Sequence, residues 1–123
     1  MITINEWDAS HPFFGQLGES CSPATLIIQF NVPADVEAQF LAAWRAHGLC
    51  MKPFPGYLGE QLHKGLAGSN VYLNYSTWNS VAEFAAAFGS PASQECVKAY
   101  PDTASLSGQL LQKVAVADVC TRQ

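Results

Sequence analysis

The order in which the hydrophobic period changes along the chain constrains its fold more than any other feature. Thr25 to Val32 (TLIIQFNV) is an apolar, β-branched run with a proline on either side, as a buried strand of about eight residues requires. From Ala34 to about Cys50 the period lengthens, with Val36, Phe40, Ala43, Trp44 and His47 on one helical face and Gly48 marking the end. Lys52 to Gly56 has turn chemistry, and Tyr57 to Lys64 reads as a second strand. After the flexible stretch Gly65 to Asn70, the β-branched and aromatic run Val71 to Trp78 (VYLNYSTW) reads as a third strand, forming a hairpin with the second. Ser80 and Glu83 make a capping box ahead of Val81, Phe84, Ala85 and Phe88, so a helix starts there. Ser90-Pro91 is an N-cap followed by proline at the first helical position, and a further short helix runs toward Tyr100 and ends at Pro101. Gln109 to Val116 (QLLQKVAV) reads as the last strand.

Strand, helix, strand, strand, helix, strand is the ferredoxin-like βαββαβ order, an α+β fold with a four-stranded antiparallel sheet. Its helices lie on one face only, so an apolar opposite face needs a cover, and a second copy packed sheet to sheet supplies one. A homodimer is expected. The chain divides into an arm (1–23), a domain (24–117) and a tail (118–123). Pro12, Gly15, Gly18 and Pro23 break any sustained period in the arm, while Trp7, Phe13 and Phe14 predict that it lies across its own subunit or a partner's.

Composition narrows the partners. A 123-residue chain that is 49% hydrophobic and 13% charged can bury a single core without disulfides or a structural metal. Six Lys plus Arg, dispersed on a chain of net charge −4, offer no patch for phosphates, so nucleic acid is not expected as a partner. No run approaches the roughly 18 apolar residues of a membrane span. No basic side chain precedes Arg45, so a secretory signal is not expected either. Cys21, Cys50, Cys96 and Cys120 include no CxxC and no His at zinc spacing; they read as free thiols, acting as small buried hydrophobes in a reducing cytoplasm, with no metal site.

The chain has no GxSxG, no Gly-rich phosphate loop, no HExxH and no close pair of carboxylates, which removes support for hydrolase and nucleotide-binding readings. Acid–base work falls to His, Tyr or the substrate, because the carboxylates are expected where solvent or helix caps hold them. On the third strand the period of two puts Tyr72, Asn74, Ser76 and Trp78 on one face. If that face meets the helices, the Asn74 amide and the Trp78 indole N–H converge on an apolar cavity and could stabilise an anion developing on a phenolic or enolic substrate. His63 is the candidate base, because imidazole is the side chain suited to moving protons at neutral pH. Tyr72 is a candidate substrate contact. His47 lies on the buried stripe of the first helix, and Gln29 interrupts an apolar strand, where a buried amide needs partners.

The segment Tyr72 to Ser80 (YLNYSTWNS) resembles the strand-to-helix passage of the antibiotic biosynthesis monooxygenase family. The likeness spans about residues 24 to 117 and includes Phe40 to Trp44 (FLAAW), Pro55-Gly56-Tyr57, Gln61-Leu62-His63 and Lys113 to Val116. The resemblance implies a dimeric α+β barrel with a pocket between sheet and helices in each subunit, and oxygenation by dioxygen without flavin or metal. It assigns substrate binding and catalysis to Asn74 and Trp78, and it places Gln29 where relatives carry an Asn. Where haem-degrading relatives carry a ligand His and a Trp, this chain has Cys96 or Val97 and Ala87, so haem breakdown is not expected. The resulting expectation is cofactor-independent monooxygenation of an electron-rich aromatic or polyketide-like small molecule. The alternatives are an isomerase or lyase working through His63 and a non-catalytic binding dimer, and a cavity too small for a polycyclic ligand favours these.

Overall fold

Five strands pair in the order β1-β5-β2-β4-β3, and the helices pack on one face of the sheet they form. The computed structural model describes residues 1–122. The strands are β1 (Thr3–Glu6), β2 (Ala24–Asn31), β3 (Tyr57–Lys64), β4 (Val71–Trp78) and β5 (Ser105–Leu111); the helices are α1 (Phe13–Gln16), α2 (Glu37–Met51), α3 (Val81–Phe88) and α4 (Pro91–Val97). The segment from β2 to β5 is the ferredoxin-like βαββαβ unit, with the pairs β5–β2, β2–β4 and β4–β3 all antiparallel.

Local chemistry accounts for most of the boundaries. The Ser80 hydroxyl accepts from the Glu83 backbone N–H and donates to the Glu83 carboxylate, closing the capping box that starts α3. Ser90 caps α4 with Pro91 at its first position. A 3-10 turn over Ala34–Val36 leads into α2, which runs through Gly48 instead of ending there. The helix continues because Lys52 N–H still closes on the Gly48 carbonyl and Met51 is buried, which together outweigh glycine's helical cost of about 1 kcal/mol.

Two expectations are corrected. Residues 1–23 hold a strand: β1 runs parallel to β5, with Thr3 opposite Ser105, and Ile2 is buried beside it. Four mostly polar residues are too short to display a period, so this edge strand left no sequence signal. The segment then crosses its own subunit, where Phe13 is buried between the sheet and Phe84 and Phe88 of α3, while Trp7 and Phe14 stay substantially exposed. The last strand is Ser105–Leu111, four residues earlier than its most apolar stretch suggests. Thr25 pairs with Leu111, so β2 has almost run out at that point, and a Cβ on Gly108 would lie 3.2 Å from the Phe13 ring, which fixes glycine and register there. The chain beyond leaves the sheet and turns at a Val116–Cys120 bridge, with Val114, Val116 and Val119 exposed.

The buried side chains form two clusters. Phe30, Phe40, Tyr72, Val97 and Tyr100 pack at one end, and Phe13, Leu26, Met51, Trp78 and Phe84 at the other. Between them the packing is incomplete.

Candidate active site

The gap between the two clusters is a cavity of about 60 Å³, partly open to solvent, with room for about two water molecules. Phe30 and Tyr100 line it from one cluster, Met51, Trp78 and Phe84 from the other, and Trp44, His47 and Gly48 form its α2 wall. The floor is the helix-facing side of the sheet: Leu26 and Ile28 of β2, Asn74, Ser76 and Trp78 of β4, and Glu60 of β3.

Asn74 and Trp78 therefore share the cavity, as their spacing requires. Trp78 is 2% exposed and packs edge-on against Tyr57 and Phe84, with centroids 5.4 and 5.5 Å away. Asn74 is 6% exposed; its Nδ2 donates to Glu60 Oε1 at 3.2 Å, and its Oδ1 finds no partner among the described residues. A buried acceptor left unpaired costs about 1 to 3 kcal/mol, a cost that a donor on a bound ligand would remove.

Glu60 is the residue the sequence reading missed, having assigned the carboxylates to solvent or caps. Burial pushes its carboxyl above the ordinary carboxylate value, and hydrogen bonds from Tyr57 and Asn74 pull it partly back. Burial together with the Glu60 charge raises the Tyr57 hydroxyl to about 12, so it stays a donor. His47 lines the cavity too. Its Nε2 lies 2.8 Å from Ser93 Oγ and its Nδ1 3.3 Å from the Tyr100 hydroxyl, and burial lowers its pKa, which keeps the ring neutral.

Three other candidates lie elsewhere. His63 is exposed on the opposite face of the sheet, with Nδ1 3.4 Å from the Leu73 carbonyl, so it cannot reach a ligand in this cavity. Gln29 is half-buried on that same helix-free face, opposite Leu73 and Ser107, because its strand neighbours Ile28 and Phe30 take the cavity side. Tyr72 has the right face, but it sits inside the Phe40 cluster and its hydroxyl donates to Glu37 Oε2 at 2.7 Å. The same carboxylate holds Lys64 at 2.6 Å.

The cysteines are all free; Cys21, Cys50 and Cys96 are half-buried and Cys120 is exposed, so none is the fully buried hydrophobe expected. Among the described residues no group of three or more His, Cys, Asp or Glu side chains is arranged to hold a metal ion. Among the described residues no helix is long and apolar enough to cross a membrane.

Comparison with known proteins bears on the same region. The sequence model of the family described as antibiotic biosynthesis monooxygenase matches residues 23–99. A proposed monooxygenase from Shewanella loihica is 32% identical, with a TM-score of 0.62 over 80% of this chain and 100% of that one. SnoaB, a cofactor-independent oxygenase from Streptomyces nogalater, superposes with a TM-score of 0.71 at 17% identity, over 80% of this chain and 99% of its own. A proposed antibiotic biosynthesis monooxygenase from Caulobacter crescentus gives 0.69 at 16% identity, over 76% and 92%. The search of curated proteins found no match.

Proposed function

The chain belongs to the antibiotic biosynthesis monooxygenase family, and from that premise we propose that it is a cofactor-independent monooxygenase acting on a small electron-rich phenol or enol. The observation that carries this reading is the unpartnered Oδ1 of Asn74, buried in a cavity beside Trp78. A hydroxyl or N–H on the ligand, separate from the O–H or C–H that ionises, would donate to that oxygen. The ligand's conjugated ring or enol would then lie against Trp78 and Phe84, in apolar surroundings from which bulk water is largely excluded. Loss of a proton makes such a ligand a reductant for dioxygen. The keto tautomer of such a ligand carries a CH₂ group; insertion of one atom of dioxygen there and release of the other as water converts it to C=O, and the substrate itself supplies the electrons.

The cavity volume of about 60 Å³, partly open to solvent, narrows the substrate. A polycyclic compound does not fit inside it, so the reacting edge of a single ring is the part that enters. The same volume favours one second reading, an isomerase that moves a proton within a small enolisable compound and consumes no oxygen. His63 is not part of either reading, since it lies across the sheet from the cavity.

The proposed assembly is a homodimer. Ile27, Leu73, Tyr75 and Thr77 lie on the sheet face that carries no helices, and Tyr75 is 41% and Leu58 56% exposed there. A second copy of the same face would cover them. Four free thiols fit a reducing compartment, and the reading places the protein in the cytoplasm.

The test is oxygen uptake by chelator-treated protein with single-ring hydroquinones and catechols, with anthrones as the larger comparison. Uptake that requires the protein and falls at least about tenfold in Asn74→Ala, which removes the acceptor, and in Trp78→Phe, which removes the indole N–H, is the expected result. Turnover without oxygen uptake would replace this reading with the isomerase.

A further inference from the structure

We infer that Glu60 is the proton acceptor of this cavity, and that its ligand presents a weakly acidic hydroxyl or enolisable C–H to that carboxylate. The inference rests on the site reading above, but it does not depend on oxygen chemistry. Glu60 faces the cavity from β3, diagonally across from Asn74, whose Nδ2 engages Oε1. Across from it on α2 stands Gly48, where a Cβ would come within 3.8 Å of Oε2. The one residue in that wall without a side chain thus lies beside the second carboxylate oxygen, and both residues line the cavity.

The alternatives are each committed elsewhere. Both nitrogens of His47 are engaged, by Ser93 and by Tyr100. Tyr57 from β3 and Tyr100 after α4 both have pKa values raised by burial and by the Glu60 charge, and remain donors. Lys64, further along the same face of β3, is bound to Glu37. A purely structural role for residue 60, holding Asn74 in place, would be met by a glutamine without the cost of burying an acid. Burial raises the carboxyl above its ordinary value, which makes it a stronger base than an exposed carboxylate. In the transfer, the ligand's O–H or C–H bond breaks and an O–H bond forms on the Glu60 carboxylate. The electron pair stays on the ligand as phenolate or enolate, so the step needs no oxidant.

The probe is 4-nitrophenol, a single-ring phenol whose ionised form absorbs in the visible. Its ionisation midpoint is measured bound to the native protein, to Glu60→Gln and to Glu60→Asp, alongside oxygen uptake in the assay above. A carboxylate touching the phenol opposes its ionisation, so the bound midpoint is expected to lie about one pH unit or more higher in the native protein than in Glu60→Gln. Glu60→Asp, with its carboxylate drawn back by one methylene, is expected between them, and it serves in place of the glutamine variant if that fails to fold. Equal midpoints, or no binding of the probe to native protein, overturn the inference. Oxygen uptake that Glu60→Gln leaves unchanged also overturns it, while the oxygenase reading survives. A shifted midpoint without oxygen uptake has the reverse meaning: Glu60 keeps its role and the oxygenase reading falls.

Discussion

Asn74 Nδ2 donates to Glu60 Oε1 at 3.2 Å, diagonally across the β3–β4 hairpin, while the other end of the same amide is buried and finds no donor among the described residues. The pair leaves two oxygens facing one cavity, an amide acceptor and a carboxylate whose pKa is raised. Neither arrangement favours the folded state by itself. Both become favourable when a donor arrives, which makes this contact the centre of the site.

Stability should report Glu60 directly. Its folded pKa is raised, so between the unfolded carboxylate value and the folded one the native state holds the proton that the unfolded chain has released. Stability therefore falls as pH rises through that window, and the full cost is present above the folded pKa. Glu60→Gln removes this term. The melting temperature of the variant relative to native protein is expected to increase as pH rises above the ordinary carboxylate value and to level off once pH passes the folded pKa. A constant difference across that range would show that Glu60 is not held above its ordinary value.

Gly48 separates stability from access. Gly48→Ala places its Cβ in ordinary contact with Glu60 and gains about 0.5 to 1 kcal/mol of helix stability, so the melting temperature should rise. Gly48→Leu fills the approach to the carboxylate. Binding of 4-nitrophenol should weaken at least about tenfold, roughly 1.4 kcal/mol, with far-UV circular dichroism unchanged.

Trp78 carries packing as well as any chemistry. Truncation to Ala leaves Tyr57 and Phe84 without their central ring and is expected to cost about 3 to 5 kcal/mol in denaturant melts. Much of a small domain's stability would be lost. Trp78→Phe keeps an aromatic ring against the same neighbours and removes the indole N–H, so activity lost in this variant with most of the stability retained would belong to the N–H.

The helix-free sheet face should control assembly. Tyr75→Glu puts a charge at the middle of β4 on that face, remote from the cavity lining. Sedimentation is expected to show a dimer for native protein and a monomer for the variant. A native monomer would remove the dimer from the proposal.

Much of this fold was legible because the signals are local. Ser80 and Glu83 satisfy each other within one helical turn, Ser90-Pro91 presets a helix start, and the alternation in Val71 to Trp78 sorts Asn74 and Trp78 onto one face wherever the strand is placed. The family likeness in that stretch was legible for the same reason.

The candidate base was not, and the cause is a single residue. Strict alternation from Tyr57 would put Tyr57, Gly59, Gln61 and His63 on one side of β3, leaving Glu60 on the other. The register shifts between Tyr57 and Gly59, where Gly59 adopts φ +149, so Tyr57 and Glu60 both face the cavity and His63 turns out. A one-residue bulge reverses the face of everything after it. The sequence by itself determined which segments alternate, which helices start where, and that Asn74 and Trp78 stand together. Only the tertiary pairing of β3 with β4 decided that the carboxylate of Glu60, and not the imidazole of His63, shares their cavity, because the phase of a strand is set by its partner's register and not by its own residues.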